Sequence, residues 1–312
     1  MIDPLGRWAA ERAPALVARA EEEAVSALRD ALVSAALGGE RARPAPPTPA
    51  PETHMPEPGE LLWAYCVLSA DDPSPDGVDR IEAAELAALV RSVPRSEYGE
   101  EPLRRNLNDL AWLEQVARSH EAVLEQALAA GTIVPLRLCT LYENEESVRA
   151  MLERERESLR GALDLLGGRE EWGVKVLVDS ARLSEAARSE SGEPSLEGVG
   201  DGGAYMLRRR HERETRELAD ALARQVAEEI HARLADLALD SVTRPPQNRD
   251  LSGHEGEMIL NAAYLVDGRR VDDLRATAGQ LESEHANVGA RVELTGPWPP
   301  YNFVPAGTAA IG

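Results

Sequence analysis

The order of periodic segments between Trp172 and Leu294 restricts the fold more than any other feature of this chain. Residues 172–178 (WGVKVLV) and 258–266 (MILNAAYLV) are apolar runs of strand length, residues 237–242 form a shorter one, and residues 290–294 alternate polar and apolar positions. Two helical stretches lie between them. In 203–237, Leu218, Leu222, Val226, Ile230 and Leu234 step by four along one face; the second runs over 271–285. Polar loops are expected over 181–199 and 243–256. The resulting order, βαββαβ, is that of a split-βαβ or ferredoxin-like domain. Many unrelated functions use this arrangement, so it leaves the function open.

A second α+β unit precedes it. Residues 61–68 (LLWAYCVL) form a continuous apolar run, as expected of a strand buried on both faces. Short strands are expected at 78–81 and 86–93, and a helix over 102–130 with Pro102 in its first turn. Leu103, Leu107, Leu110, Leu113, Val116, Val123 and Leu128 supply the buried stripe of that helix, and residues 133–138 a further strand. A charged helix over 143–166 connects the two units. Upstream, residues 5–37 form an Ala-rich amphipathic helix, and residues 43–58 hold seven prolines, a semi-rigid linker. The expected fold class is α+β. It comprises an N-terminal helical extension and linker (1–60), an N-terminal α+β domain (61–142), a connecting helix (143–169) and a ferredoxin-like domain (170–312).

Composition narrows the partners. A formal net charge of −21 argues against nucleic acid, because phosphate binding needs clustered basic residues, and against an anionic membrane surface. Apart from Lys175 the basic residues are all Arg. The two cysteines, Cys66 and Cys139, lie in apolar runs that read as strands, and two isolated thiols fit a reducing cytoplasm. No run of 18 apolar residues is present, and a secretion-signal pattern is missing at the start.

Few motifs suggest chemistry. Gly198–Gly203 matches G-x-G-x-x-G, but a polar loop precedes it and a helix of more than 30 residues follows, so it reads as a hinge before a helix. Arg208-Arg209-Arg210 reads as an anion-binding run or, as the favoured reading, as partners of Glu212, Glu214 and neighbouring acids. His254-Glu255 lacks further ligands at metal-site spacing, and His120 sits in mid-helix, where a helix-facing or partly buried side chain is expected. No catalytic, cofactor or metal residues are assigned, and the chain is expected not to be an enzyme. Two segments stand out as partner-binding candidates. The loop 243–253 carries Arg244 and Arg249 on a Pro-braced frame; it reads equally as a recognition loop or as a structural crossover. The tail 296–303 (GPWPPYNF) gathers Trp298, Tyr301 and Phe303 in a chain with only 4% aromatics. It reads as an anchor folded back on the sheet, or as a rigid docking surface in which prolines lower the ordering cost.

Several segments resemble, in order, the gas vesicle protein family GvpL/GvpF. They are YCVL (65–68), VPRSEYGE (93–100), LNDLAWLEQVARSHEAVLE (107–125), VPLRLCTLYENEE (134–146), EEWGVKVLVD (170–179), GGAYMLRRR (202–210), PPQNRDLSGHEGEMILNAAYLV (245–266) and LTGPWPPYNF (294–303). Residues 1–60 lie outside the resemblance. It implies a two-domain α+β protein of the gas vesicle, an accessory or minor structural component. Such a protein supports assembly through contacts with the small shell protein GvpA and other accessory proteins. It implies no catalytic residues. A small-molecule-sensing regulatory protein built on the ferredoxin-like domain is the alternative that the element order allows.

Overall fold

The computed structural model describes residues 59–192, 201–245 and 256–304. The helix and linker expected over 1–58, residues 198–200 of the Gly-rich stretch, and Arg249 and His254 lie outside these residues.

The first sheet is antiparallel. It contains β1 (Glu60–Ser69), β2 (Asp79–Ala83), β3 (Leu86–Pro94) and two short strands, β4 (Val134–Pro135) and β5 (Leu141–Tyr142), in the order β2-β3-β1-β4, with β5 also on β1. The continuous apolar run of β1 is buried on both faces. Leu62, Ala64 and Val67 point one way and Leu61, Trp63, Tyr65, Cys66 and Leu68 the other. A register shift between Ala64 and Cys66 changes the phase, which is why Tyr65 and Cys66 serve the same core. Five helices accompany this sheet: α1 (Arg95–Tyr98), α2 (Glu100–Asn106), α3 (Leu110–Ala130), α4 (Glu145–Arg154) and α5 (Arg156–Leu166). Helix α3 supplies Val116, Val123, Leu124 and Ala127 to one face. Helices α4 and α5 supply Val148, Met151, Leu152, Leu159, Ala162 and Leu166 to the other.

The second sheet is formed by β6 (Arg169–Val178), β7 (Asp240–Arg244), β8 (Glu257–Asp267) and β9 (Arg291–Trp298), in the order β7-β8-β6-β9 with every pair antiparallel. Trp172, Val174, Val176 and Val178 of β6 and Leu260, Ala262, Tyr264 and Val266 of β8 face a core closed by three helices. These are α6 (Ser180–Ser191), α7 (Asp201–Ala235) and α8 (Val271–Glu284). The stripe expected on α7 enters this core through Val226, Ile230 and Leu234, with Ala219 and Ala223 beside it. On the opposite face of the sheet, Ala263 and Leu265 join the cluster that contains α4, α5 and the first sheet, so that core continues from one sheet to the other. No helix among the described residues is long and apolar enough to cross a membrane.

Several sequence expectations need correction. The stretch read as a polar loop after β6 begins with a helix, α6. The Asp179 carboxylate accepts from the backbone N–H groups of Ala181 and Arg182 at 2.8 and 3.2 Å, and only Leu183 and Ala187 are buried. Two buried positions, four residues apart, are too narrow a stripe to read through the surrounding Ser, Glu and Arg. The helix expected over 102–130 is broken at Asn108-Asp109, where Asp109 caps α3. Leu107 and Leu110 are therefore outside the buried stripe, at 43% and 78% exposure. The connecting helix is likewise two helices that meet at Glu155. Cys139 lies in a turn with φ of 60° rather than in a strand. Of the strand expected over 133–138, only Val134 and Pro135 pair with β1. The final strand runs on to Trp298, so that residue belongs to the sheet rather than to the tail.

Candidate partner surface and the C-terminal strap

Strand β9 lies beside β6, with Val174 opposite Leu294, Gly173 opposite Thr295 and Glu171 opposite Trp298. Close approach requires glycine at two points. A Cβ on Gly173 would lie 3.0 Å from Thr295 Oγ1. A Cβ on Gly296, whose φ is 139°, would lie 2.9 Å from the Glu171 carbonyl oxygen. The indole N–H of Trp298 donates to Thr295 Oγ1 at 3.1 Å, and the ring stays partly exposed on this edge strand.

Beyond Pro299 and Pro300, both buried, the chain makes a single 3₁₀ turn over Tyr301–Phe303, and each residue of that turn has a separate internal partner. Phe303 is 6% exposed and enters the core shared by α4, α5, Ala263 and Leu265. Asn302 reaches Glu171, a fully buried carboxylate on β6. Its backbone N–H donates to Oε2 at 3.0 Å and its side-chain amide to Oε1 at 2.6 Å. Arg244, at the end of β7, donates in turn to Asn302 Oδ1. A buried carboxylate deprived of such donors is strongly destabilising, so Asn302 has a structural part out of proportion to its size. Tyr301 packs on the core between the first sheet and α3, and its hydroxyl lies 3.1 Å from His120 Nε2.

His120 is 2% exposed. Its Nε2 also lies 3.2 Å from the Leu136 carbonyl oxygen, which requires the proton on Nε2 for donation. The ring packs beside Trp63 and Tyr65, at 5.6 and 5.2 Å between centroids. A second proton on the imidazole would place a charge among these rings, and burial lowers its pKa from 6.5 to about 4. His120 is thus a neutral core residue. Burial also pushes the Cys66 thiol well above its ordinary range and Cys139 up to about 12, which keeps both protonated and unreactive at neutral pH.

The tail and the Arg244 strand end are therefore brought together, a nearness expected from the βαββαβ element order and not from any local signal. The triad Glu171–Asn302–Arg244 is absent from the sequence reading altogether. Its members are separated by 131 and 58 residues, and a single Glu in a strand that opens with two carries no pattern. Of the Arg run in α7, Arg210 pairs with Glu214 at 2.7 Å, whereas Arg208 and Arg209 are exposed and make no ion pair among the described residues. An open cavity of about 970 Å³ lies at the far end of β6 and β9. Its polar groups are engaged within the fold: Asp179 caps α6, Arg182 donates to the Ala286 carbonyl at 3.3 Å, and Glu282 accepts from the Val292 N–H at 2.8 Å. Among the described residues no group of three or more His, Cys, Asp or Glu is arranged to hold a metal ion.

Comparison with known proteins agrees with this architecture. Residues 61–305 match the family model described as gas vesicle synthesis protein GvpL/GvpF. Gas vesicle protein L of Streptomyces sp. (strain CB03234) is 38% identical over 70% of this chain and 80% of its own length. Gas vesicle protein L1 of Halobacterium salinarum is 31% identical over 62% of this chain and 72% of its own length. The crystal structure of GvpF from Anabaena sp. PCC7120 superposes with a TM-score of 0.58 at 21% identity, covering 79% of this chain and 96% of that one, a likeness of fold. The chain belongs to the GvpL/GvpF family of gas vesicle synthesis proteins.

Proposed function

We propose that this chain supports gas vesicle assembly by binding the shell protein GvpA and fellow accessory proteins, and that it does so without catalysis. The observation that carries the reading is the family match over residues 61–305, which spans both sheets and the strap. We assign two α+β domains, 61–142 and 170–312; the core that continues from one sheet to the other and the internally engaged turn at Tyr301–Phe303 support a scaffold role. The second domain we assign to the ferredoxin-like class, with α6 as an addition. The strand order β7-β8-β6-β9 has β6 and β7 flanking β8, and β8 and β9 flanking β6, as two interleaved βαβ units require.

The contact surface follows from what the strap leaves accessible. Tyr301 and Phe303 serve the interior, so the aromatic contribution falls to Trp298 on the β9 edge; Arg249, which lies outside the described residues, is proposed from the sequence for the polar contribution. Arg244 positions this region through Asn302. Pull-down of GvpA by the full chain tests the proposal. The wild type is expected to retain GvpA, and Arg249→Glu and Trp298→Ala each to weaken retention about tenfold while the fold stays intact by circular dichroism. A full-length, folded protein that retains neither GvpA nor any other gas vesicle protein contradicts it.

A further inference from the structure

Helix α7 extends beyond the body that its second half helps to build. From Gly202 to Glu214 no described side chain is buried, and the first buried position is Thr215. The projecting part is about 20 Å long at 1.5 Å per residue. It exposes Tyr205 and Met206 at 57% and 67%, and between Arg208 and Arg216 it holds five arginines against two glutamates in a chain of net charge −21. Local energetics oppose this composition. Arg209 with Arg213 and Arg213 with Arg216 set like charges four and three residues apart on one helix, and Gly202-Gly203 are poor helix formers. A segment that breaks local rules without a compensating buried contact is where function is expected.

One stripe on the outer face of α7 supplies the complement. Met206, Arg210, Arg213, Glu217, Asp220 and Glu228 are all exposed, and their spacing of three and four residues places them on one side, opposite Thr215. The stripe is basic before Thr215 and acidic after it, with Arg224 the one cation in the acidic half. It is therefore self-complementary under a two-fold axis. An antiparallel second copy, centred near Thr215, sets Arg213 against the partner's Glu217 and Arg210 against the partner's Asp220, and the reverse. The pairs that these groups make within one helix, Arg210–Glu214 at 2.7 Å and Arg213–Glu217 at 3.6 Å, are solvent-exposed and weak, so exchanging them is cheap.

We infer that the projecting half of α7 is a self-association element, by which two copies of this chain pair antiparallel along their outer α7 stripes. Sedimentation velocity of the full chain at micromolar concentration tests this. The wild type is expected to form a dimer whose dissociation constant rises at least about tenfold between low and high salt. The double variant Arg210→Glu, Arg213→Glu sets like charges opposite each other and is expected to be monomeric. Adding Glu217→Arg and Asp220→Arg to it restores the complement and the dimer. A wild type that stays monomeric at low salt, a dimer indifferent to the double reversal, or a four-fold variant that stays monomeric would each overturn the inference. Binding of the α7 projection to a different acidic protein by a monomeric chain would overturn it equally.

Discussion

The C-terminal turn and the projecting end of α7 are opposites. In the sequence, the tail with Trp298, Tyr301 and Phe303 reads as an anchor or as a docking surface, and Arg208–Arg210 as a helix face that pairs with nearby acids. The fold sets the two regions apart. Tyr301, Asn302 and Phe303 each contact a different part of the interior, whereas Tyr205 and Met206 and the arginines beside them contact no core. The contrast shows that aromatic density marks where buried area is gained, and does not say whether the contact lies within the chain or outside it. What separates the cases is where the partners lie: Glu171 and His120, far along the chain, for the tail, and only exposed neighbours on the same helix, such as Glu214 for Arg210, for the end of α7.

Substitutions that sharpen this contrast should differ widely in size. Phe303→Ala removes a side chain from the core between the sheets and is expected to cost about 3–5 kcal/mol in chemical denaturation. If the loss is under about 1 kcal/mol, the tail does not bind the sheets together. Next is a pH effect. The unfolded chain titrates His120 near its ordinary 6.5 and the folded chain only near 4. Between these values the unfolded state binds more protons. The full contribution is present above about pH 6.5, and stability falls by up to about 3 kcal/mol as pH drops towards 4. His120→Gln should flatten that part of the stability profile, and an unchanged slope would show that other groups dominate it. Tyr301→Phe deletes one hydroxyl and leaves His120 its bond to Leu136, so about 1 kcal/mol is expected. Smallest of all, Tyr205→Ala and Met206→Ala, measured at low protein concentration, should each stay within about 0.5 kcal/mol of wild type. A larger loss would mean that the projection packs on its own chain.

How much of this the sequence carried depended on the range of the interactions. The two-sided burial of β1 and the α7 stripe were legible because period and apolarity are local properties. The break at Asp109 and the helix after Asp179 were missed although both begin with a capping aspartate. In each the flanking residues favoured the other reading: leucines continued the pattern through the break, and Ser and Glu masked the short helix. Glu171 was not legible at all. Its role rests on Asn302, placed beside it only once β9 has paired with β6 and the chain has turned at Pro299-Pro300. Likewise His120 was expected to be helix-facing or partly buried, and nothing near it indicated its full burial or Tyr301 as its neighbour.

The bond between Asn302 and the buried Glu171 ties the C-terminal turn to the second sheet, and a double-mutant cycle isolates it. Asn302→Ala, Glu171→Gln and the double variant are unfolded in denaturant, and their free energies compared with wild type. Each single change is expected to destabilise by about 1–3 kcal/mol, and the pair to be coupled by at least about 1 kcal/mol. Additive effects, with coupling near zero, would contradict the claim that the C-terminal turn fastens the second sheet to the rest of the chain.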